Sequence, residues 1–301
     1  MATQNEIERT YDYMDDIFRV SLGDHADITG AMYNGDFSLT LDQAQQKKHD
    51  FILDSIKLKP GSKIMDIGCG WGPVLYEAAK HGGKGIGFTL SPAQARACKA
   101  DGLNVLVKDW KDVDPKDVGK VDGVVSVGAF EHFCSIDEYK AGKQEEIYRD
   151  FFKLCSDSLD KGGKLYLQTM LWGKSVPNVN DIDVNAKKLS DSWILGHIEK
   201  FYPGSWLPSN IGQIEKCAKP YFKLVSENNG RLDYIQTMKE WGRAWKKPSL
   251  RKFIFMVKLA PRYARDKDFR YQITSLRYGC NRLCFEREIM THQRMVFEKV
   301  K

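Results

Sequence analysis

Apolar residues in the middle of this chain recur in two rhythms. Short runs such as "SKIMDIG", "KGIGFTLS", "LNVLVKDW", "VDGVVSVG" and "KLYLQTM" are bounded by glycines or charges and read as buried strands. Between them "WGPVLYEAAKHG", ended by Gly82, and "PAQARACKADG", capped by Ser91 with Pro92 at the first helical position, read as helices. After the fourth strand the pattern predicts one long helix, "DEYKAGKQEEIYRDFFKLCSDSLDKGG", stopped by two glycines. Strand and helix in series predict an α/β fold, a doubly wound parallel sheet with ligands at the carboxyl ends of its strands. Two helices are expected before this core, about Glu6 to Leu22 and Leu41 to Leu58. After it come a loop-like stretch from Trp172 to Trp193 and a helix-rich segment from about Pro208 to Glu288, interrupted by a strand in "YFKLVSENNG". A last strand is expected in "EIMTHQRMVFEKV", and the flanking helices are expected to cover the site as a lid.

Two stretches carry candidate chemistry. "IMDIGCGWG" sets Asp66, Gly68, Gly70 and Gly72 between a strand and a helix, where glycines allow a tight turn and close approach of a ligand to backbone. The spacing is not G-x-G-x-x-G, and the second strand ends in Thr89 rather than an acid, so a nicotinamide cofactor is disfavoured. A turn that only packs is the plain alternative. "VVSVGAFEHF" puts Glu131 and His132 at the mouth of an apolar strand, where an unpaired charge is costly. Glu131 reads as a catalytic or anion-binding group, or as a hydrogen-bonded carboxylate at a helix start.

Composition narrows the classes. The 301 residues are 42% apolar and 12% aromatic, enough for a substantial core. No apolar run approaches the roughly 20 residues of a membrane span, and the polar start predicts a cytoplasmic protein without a signal sequence. The seven cysteines form no disulfide framework and no C-x-x-C pair, and no metal site is expected. The net charge of +6 is concentrated between Lys239 and Arg270, where eleven basic residues meet three acids. This is a solvated helical face or a surface for an anionic partner, meaning lipid headgroups, an acidic carrier or a charged substrate. Nucleic acid is disfavoured because no recognition motif accompanies the charge.

Taken in order, "YDYMDDIFRVSLG", "LTLDQAQQKKHDFILDSIKLKPG", "MDIGCGWG", "GFTLSPAQ", "GAFEHF", "FYPGSWLPS" and "DYIQTMKEW" resemble the S-adenosylmethionine-dependent methyltransferases of the cyclopropane fatty acid synthase and mycolic acid methyltransferase type. The resemblance covers nearly the whole length. It implies the class I methyltransferase, Rossmann-like fold: a seven-stranded, mostly parallel sheet with an antiparallel final strand, N-terminal helices and a helical lid insertion. It is read as one domain over 1–301, with a helical cap at about 1–58, a core at about 59–172, and lid and last strands at about 173–301. S-adenosyl-L-methionine is the implied cofactor. Asp66, Gly68 and Gly70 would line its methionine part, Thr89 and Gln94 its sugar, and Trp110 its adenine, with Ile28 and Thr29 in the N-terminal lid where the family usually has Tyr-Ser. A bicarbonate ion is also implied, at positions that here read Gly30, Glu131, Gln168 and Tyr234. Gly30 and Gln168 stand in place of a cysteine and a histidine, offering a backbone N–H and an amide.

The expected activity is methyl transfer to an alkene carbon of a lipid or isoprenoid through a carbocation, with Glu131-assisted proton removal. His132 would support the loop or act directly, and Phe201, Tyr202 and Trp206 are candidates to stabilise the cation. His25 and His292 have no spacing partner and read as surface or core residues. Two other readings stay open: a small-molecule N-methyltransferase, since plant alkaloid enzymes look similar, and a cofactor-binding scaffold without catalysis. The expected partners are a lipid or other hydrophobic acceptor and, through 239–270, the anionic inner face of a membrane.

Overall fold

A computed structural model of the chain describes residues 17, 19–23 and 27–300. Residues 17 and 19–22 are helical; the rest of the expected first helix, and His25, lie outside the described residues. Seven strands form one sheet: β1 (Lys63–Ile67), β2 (Lys84–Thr89), β3 (Asn104–Val107), β4 (Val121–Val127), β5 (Leu159–Trp172), β6 (Phe222–Asn229) and β7 (Met290–Lys299). Their order is 3-2-1-4-5-7-6. β1 to β5 pair in parallel, and β7 lies antiparallel between β5 and β6.

The helices are α1 (Leu41–Ser55), α2 (Pro73–Lys80), α3 (Pro92–Ala100), α4 (Pro115–Val118), α5 (Ile136–Lys140), α6 (Gln144–Ser158), α7 (Asp191–Phe201), α8 (Ile211–Ala218), α9 (Arg231–Lys246), α10 (Leu250–Arg265), α11 (Lys267–Tyr278) and α12 (Cys280–Glu286). Alternate strand residues divide between two cores, as the pleat requires. Met65, Ile67, Val124 and Leu165 pack with Phe151 and Phe152 of α6 on one face. Ile64, Val125 and Tyr166 pack with Ile52 and Leu53 of α1 and Leu75 of α2 on the other. The sheet is therefore doubly wound.

Local caps place the helices that position the site. Thr40 and Gln43 form a capping box at the start of α1. The Ser91 hydroxyl accepts from Gln94 N at the start of α3.

The long helix expected from Asp137 to Gly163 is two helices. A Ser135/Glu138 capping box starts α5, and Gly142, at φ 73, breaks the chain before α6. Leu159 is already extended, so Gly162 and Gly163 lie inside β5, where its register with β4 is irregular, instead of stopping a helix. α7 falls where no element was expected; it is capped by Ser190 and buries Trp193, Ile194, Ile198 and Phe201. The expected Leu41 to Leu58 helix ends at Ser55, with Lys57 in the left-handed region. All seven cysteines are buried and unpaired. Among the described residues no helix is long and apolar enough to cross a membrane, and no cluster of residues suits a metal ion.

Candidate active site

The carboxyl ends of β1, β2, β4 and β5 surround a pocket of about 400 Å³. Most of the candidate positions named from the sequence line it: Ile28, Thr29, Asp66, Gly68, Gly70, Thr89, Gln94, Trp110, Glu131, His132, Gln168 and Tyr234. The turn after β1 needs glycine at 68. Its φ is 78, and a Cβ there would lie 2.2 Å from that of Ala129 in the "GAFEHF" turn. The two motifs are thus pressed together, which brings Asp66 and Glu131 to one pocket.

Asp66 and Glu131 are both buried, and burial pushes each carboxyl up to about 7, with the nearby Asp27 charge a further cause for Asp66. Glu131 Oε1 accepts from Met170 N at 2.9 Å, whereas Oε2 has no hydrogen-bond partner. A cation held between these carboxylates would favour their ionised forms. The Thr89 hydroxyl donates to Gln94 Oε1 at 2.6 Å, fixing the amide beside the pocket. Trp110 is both a core and a pocket residue, packed 4.9 Å from Phe133 and 5.8 Å from Phe151, ring to ring. Two carboxylates in one pocket, a paired hydroxyl and amide, and an aromatic side chain fit a sulfonium flanked by a sugar and a base.

The Ile28–Thr29 segment is anchored from below. Asp27 accepts from Thr29 N at 2.9 Å and from its hydroxyl at 2.6 Å, pairs with His49 Nε2 at 2.8 Å, and forms an ion pair with Lys48. Burial alone would raise the Asp27 pKa, but Lys48 and His49 hold it far below the usual carboxylate range. Gln45 of α1 donates to the carbonyls of Asp27 and Thr29. The guanidinium of Arg19 lies 3.8 Å from the centre of the Trp71 ring, and Trp71 lines the pocket. Gln45, Lys48, His49, Arg19 and Trp71 fall in stretches that carry the resemblance, but no role as anchors was read for them.

His132 is held through Nδ1 by the Ser205 hydroxyl at 2.7 Å, and burial pushes its pKa down to about 4. It joins the glutamate turn to the "FYPGSW" segment, which also pairs through Trp206 N to Cys134 O at 2.9 Å. Of the aromatics expected there, Tyr202 lines the pocket. Trp206 is core, packed 4.6 Å from Tyr139 and 4.9 Å from Trp172. Phe201 lines a second cavity of about 1,420 Å³ walled by α7, α9, α10 and α11. Ile28, Tyr202 and Tyr234 line both cavities.

The four positions implied for bicarbonate, Gly30, Glu131, Gln168 and Tyr234, meet in the pocket, with several of their polar groups engaged within the protein. Gly30 has no side chain, and Gln168 donates one amide N–H to Gly30 O at 3.1 Å while accepting from Tyr166 at 2.9 Å. The Tyr234 hydroxyl interacts with Asn281. The remaining group, Glu131, repels an anion once ionised. His292, read as surface or core, is buried and also lines the pocket.

Comparison with known proteins agrees with this geometry. The family described as mycolic acid cyclopropane synthetase matches residues 1–257. Cyclopropane mycolic acid synthase 3 of Mycobacterium tuberculosis is 32% identical over 252 residues, covering 79% of this chain and 80% of its own. The cyclopropane-fatty-acyl-phospholipid synthase of Escherichia coli is 30% identical over 206 residues, covering 67% of this chain and 46% of its own. The crystal structure of mycolic acid cyclopropane synthase CmaA1 complexed with SAH and CTAB superposes with a TM-score of 0.74 at 25% identity, covering 98% of each chain.

Proposed function

This chain belongs to the mycolic acid cyclopropane synthetase family and is an S-adenosylmethionine-dependent methyltransferase; on that premise we propose that it methylates an alkene carbon of a lipid acceptor, with Glu131 assisting proton removal. The observation that carries the reading is the buried Glu131 carboxyl, with one oxygen unpartnered, in a pocket that abuts a much larger apolar cavity. That cavity, about 1,420 Å³, exceeds the roughly 300–1,000 Å³ of ordinary small-ligand pockets and suits a long chain.

When bound, the cofactor supplies an electrophilic methyl group, and the alkene carbon that takes it leaves a carbocation beside it. Asp66, Gly68 and Gly70 would hold the methionine part, Thr89 and Gln94 the ribose, and Trp110 the adenine. The Ile28–Thr29 segment would close over them, and α7 with α9 to α11 would exclude water from the acceptor side. Tyr202 and Tyr234 line both cavities, and a ring face turned to the cation would stabilise it by about 0.5–2 kcal/mol. Glu131 supplies negative charge as a proton leaves the acceptor, from the new methyl to close a ring or from a neighbouring carbon to give a branched alkene.

The test is incubation with methyl-labelled cofactor and total lipid extract, followed by identification of the product. A labelled ring or methyl branch on a lipid chain is expected. Label on nitrogen would favour the amine reading, and cofactor binding without any incorporation would favour a scaffold.

The acceptor is proposed to come from an anionic membrane. α10 exposes Leu250, Phe253, Ile254, Met256 and Val257, while Met256 and Leu259 of the same helix line the acceptor cavity. Basic residues are concentrated in the same 239–270 stretch, matching anionic headgroups. Lys252 is not among the membrane-facing charges, because its ammonium is buried against the carbonyls of Ala244, Trp245 and Lys247. Replacing Phe253 and Val257 together by serine is expected to weaken sedimentation with phosphatidylglycerol vesicles roughly tenfold or more while leaving affinity for S-adenosylhomocysteine unchanged. Unaltered sedimentation would remove α10 from the membrane contact.

A further inference from the structure

His292 lines the transfer pocket, and the mechanism above leaves it idle. It stands on β7 opposite Met170 of β5, whose N–H holds Glu131; two residues on, Arg294 stands opposite Gln168. Gln168, Met170, His292 and Arg294 therefore share one face of the sheet.

The ring occupies a slot between two glycines. A Cβ at Gly230 would lie 2.6 Å from Nδ1, and a Cβ at Gly30 would lie 3.2 Å from Cε1 and 3.3 Å from Nε2. The Tyr234 ring closes the slot at 5.0 Å, centre to centre. A side chain at position 30, where the resemblance implied a cysteine, would crowd the imidazole. Nδ1 is buried without a hydrogen-bond partner on the Gly230 side, whereas Nε2 lies toward Gly30, which lines the pocket. Burial, with Arg294 and Lys48 nearby, holds the ring's pKa well below the usual imidazole value, so it is neutral at neutral pH and able to receive a proton. A weak base is sufficient here, because a carbocation is a strong acid.

We propose that His292 is the proton acceptor of this site, an imidazole supplied from β7 where the resemblance implied one from β5 at position 168. A C–H bond breaks, either on a carbon adjacent to the cationic one, its electron pair forming the new π bond, or on the transferred methyl, its electron pair closing the ring, and the proton goes to Nε2. Glu131 supplies the counter-charge for the imidazolium, which returns its proton to water when product leaves. The assignment rests on the reading of the site as an alkene methyltransferase.

The experiment uses the full chain, methyl-labelled cofactor and vesicles of dioleoyl phosphatidylglycerol. His292→Ala and His292→Asn are both expected to lose roughly 100-fold or more in turnover, with S-adenosylhomocysteine affinity within about twofold of the parent. Added imidazole is expected to restore turnover to His292→Ala, with more basic imidazoles restoring more; filling a structural hole would not show that order. Should His292→Ala fail to fold, the more nearly isosteric His292→Asn carries the turnover and binding comparison. Parent turnover with His292→Asn within about threefold of it would overturn the assignment alone, as would loss in His292→Ala without any rescue by imidazoles. No labelled lipid from the parent protein would sink the alkene reading and this assignment together.

Discussion

Glu131→Gln is expected to stop methyl transfer and at the same time to remove a pH-dependent weakness of the fold. Loss of the carboxylate should lower turnover by roughly 100-fold or more, with S-adenosylhomocysteine still bound. The stability effect follows from burial, which lifts this carboxyl from 4.5 to about 7. Because the folded value lies above the unfolded one, the folded state binds more protons between them, and stability falls as pH rises through that window. From pH 5 to pH 8 this group should cost the parent about 2–3 kcal/mol that the glutamine variant does not lose. Asp66 carries a similar shift but is present in both proteins, so it cancels in the comparison. Urea melts at the two pH values measure the difference; parallel pH dependence in the two proteins would show that Glu131 is not held protonated. The parent's kcat/KM should likewise rise with pH up to about 7 and then level.

Lys48→Met is expected to cost about 3–5 kcal/mol, the range for breaking a buried ion pair from one side. Lys48 is fully buried, pairs with Asp27 and bonds the Thr29 hydroxyl at 2.7 Å, so its loss strands Asp27 beneath the Ile28–Thr29 segment. Affinity for S-adenosylhomocysteine should fall roughly tenfold as that segment loosens, a change of about 1.4 kcal/mol. Adding Asp27→Asn should recover at least about 1 kcal/mol of stability, because a neutral amide tolerates burial that a lone carboxylate does not. Denaturant melts and calorimetry read both effects. A double variant less stable than Lys48→Met would place the anchoring elsewhere.

The parts of this fold that were legible depend on neighbours in sequence. The Asp66–Gly72 turn, the Ser91 cap with Pro92, and the strand ending at Val127 each declare themselves within a dozen residues, and together they locate much of the pocket wall. The helix from Asp137 was misread because "AGK" sits in a strongly periodic stretch, while the positive φ of Gly142 is a backbone fact that composition does not record. His292 was illegible for a different reason. Its place beside Gly30 is set by the register of β7 against β5 and by the absence of a side chain at Gly30 and Gly230, contacts that bridge most of the chain length. Lys48 was hidden by type, since lysine is rarely buried and its partner Asp27 precedes it by 21 residues in a segment without periodicity.

The sheet order also bears on how the protein is made. β7 follows β6 in the chain yet is wedged between β6 and β5. While the ribosome is still translating the helices after β6, the edges of β5 and β6 that β7 later joins have no mate, and His292 and Arg294 have not been synthesised. The transfer site is thus completed only as the final strand leaves the exit tunnel. A chain interrupted after β6 would carry the whole glycine turn and nearly all of the pocket lining, but would present two unpaired strand edges, the kind of surface that quality-control chaperones bind and that otherwise aggregates.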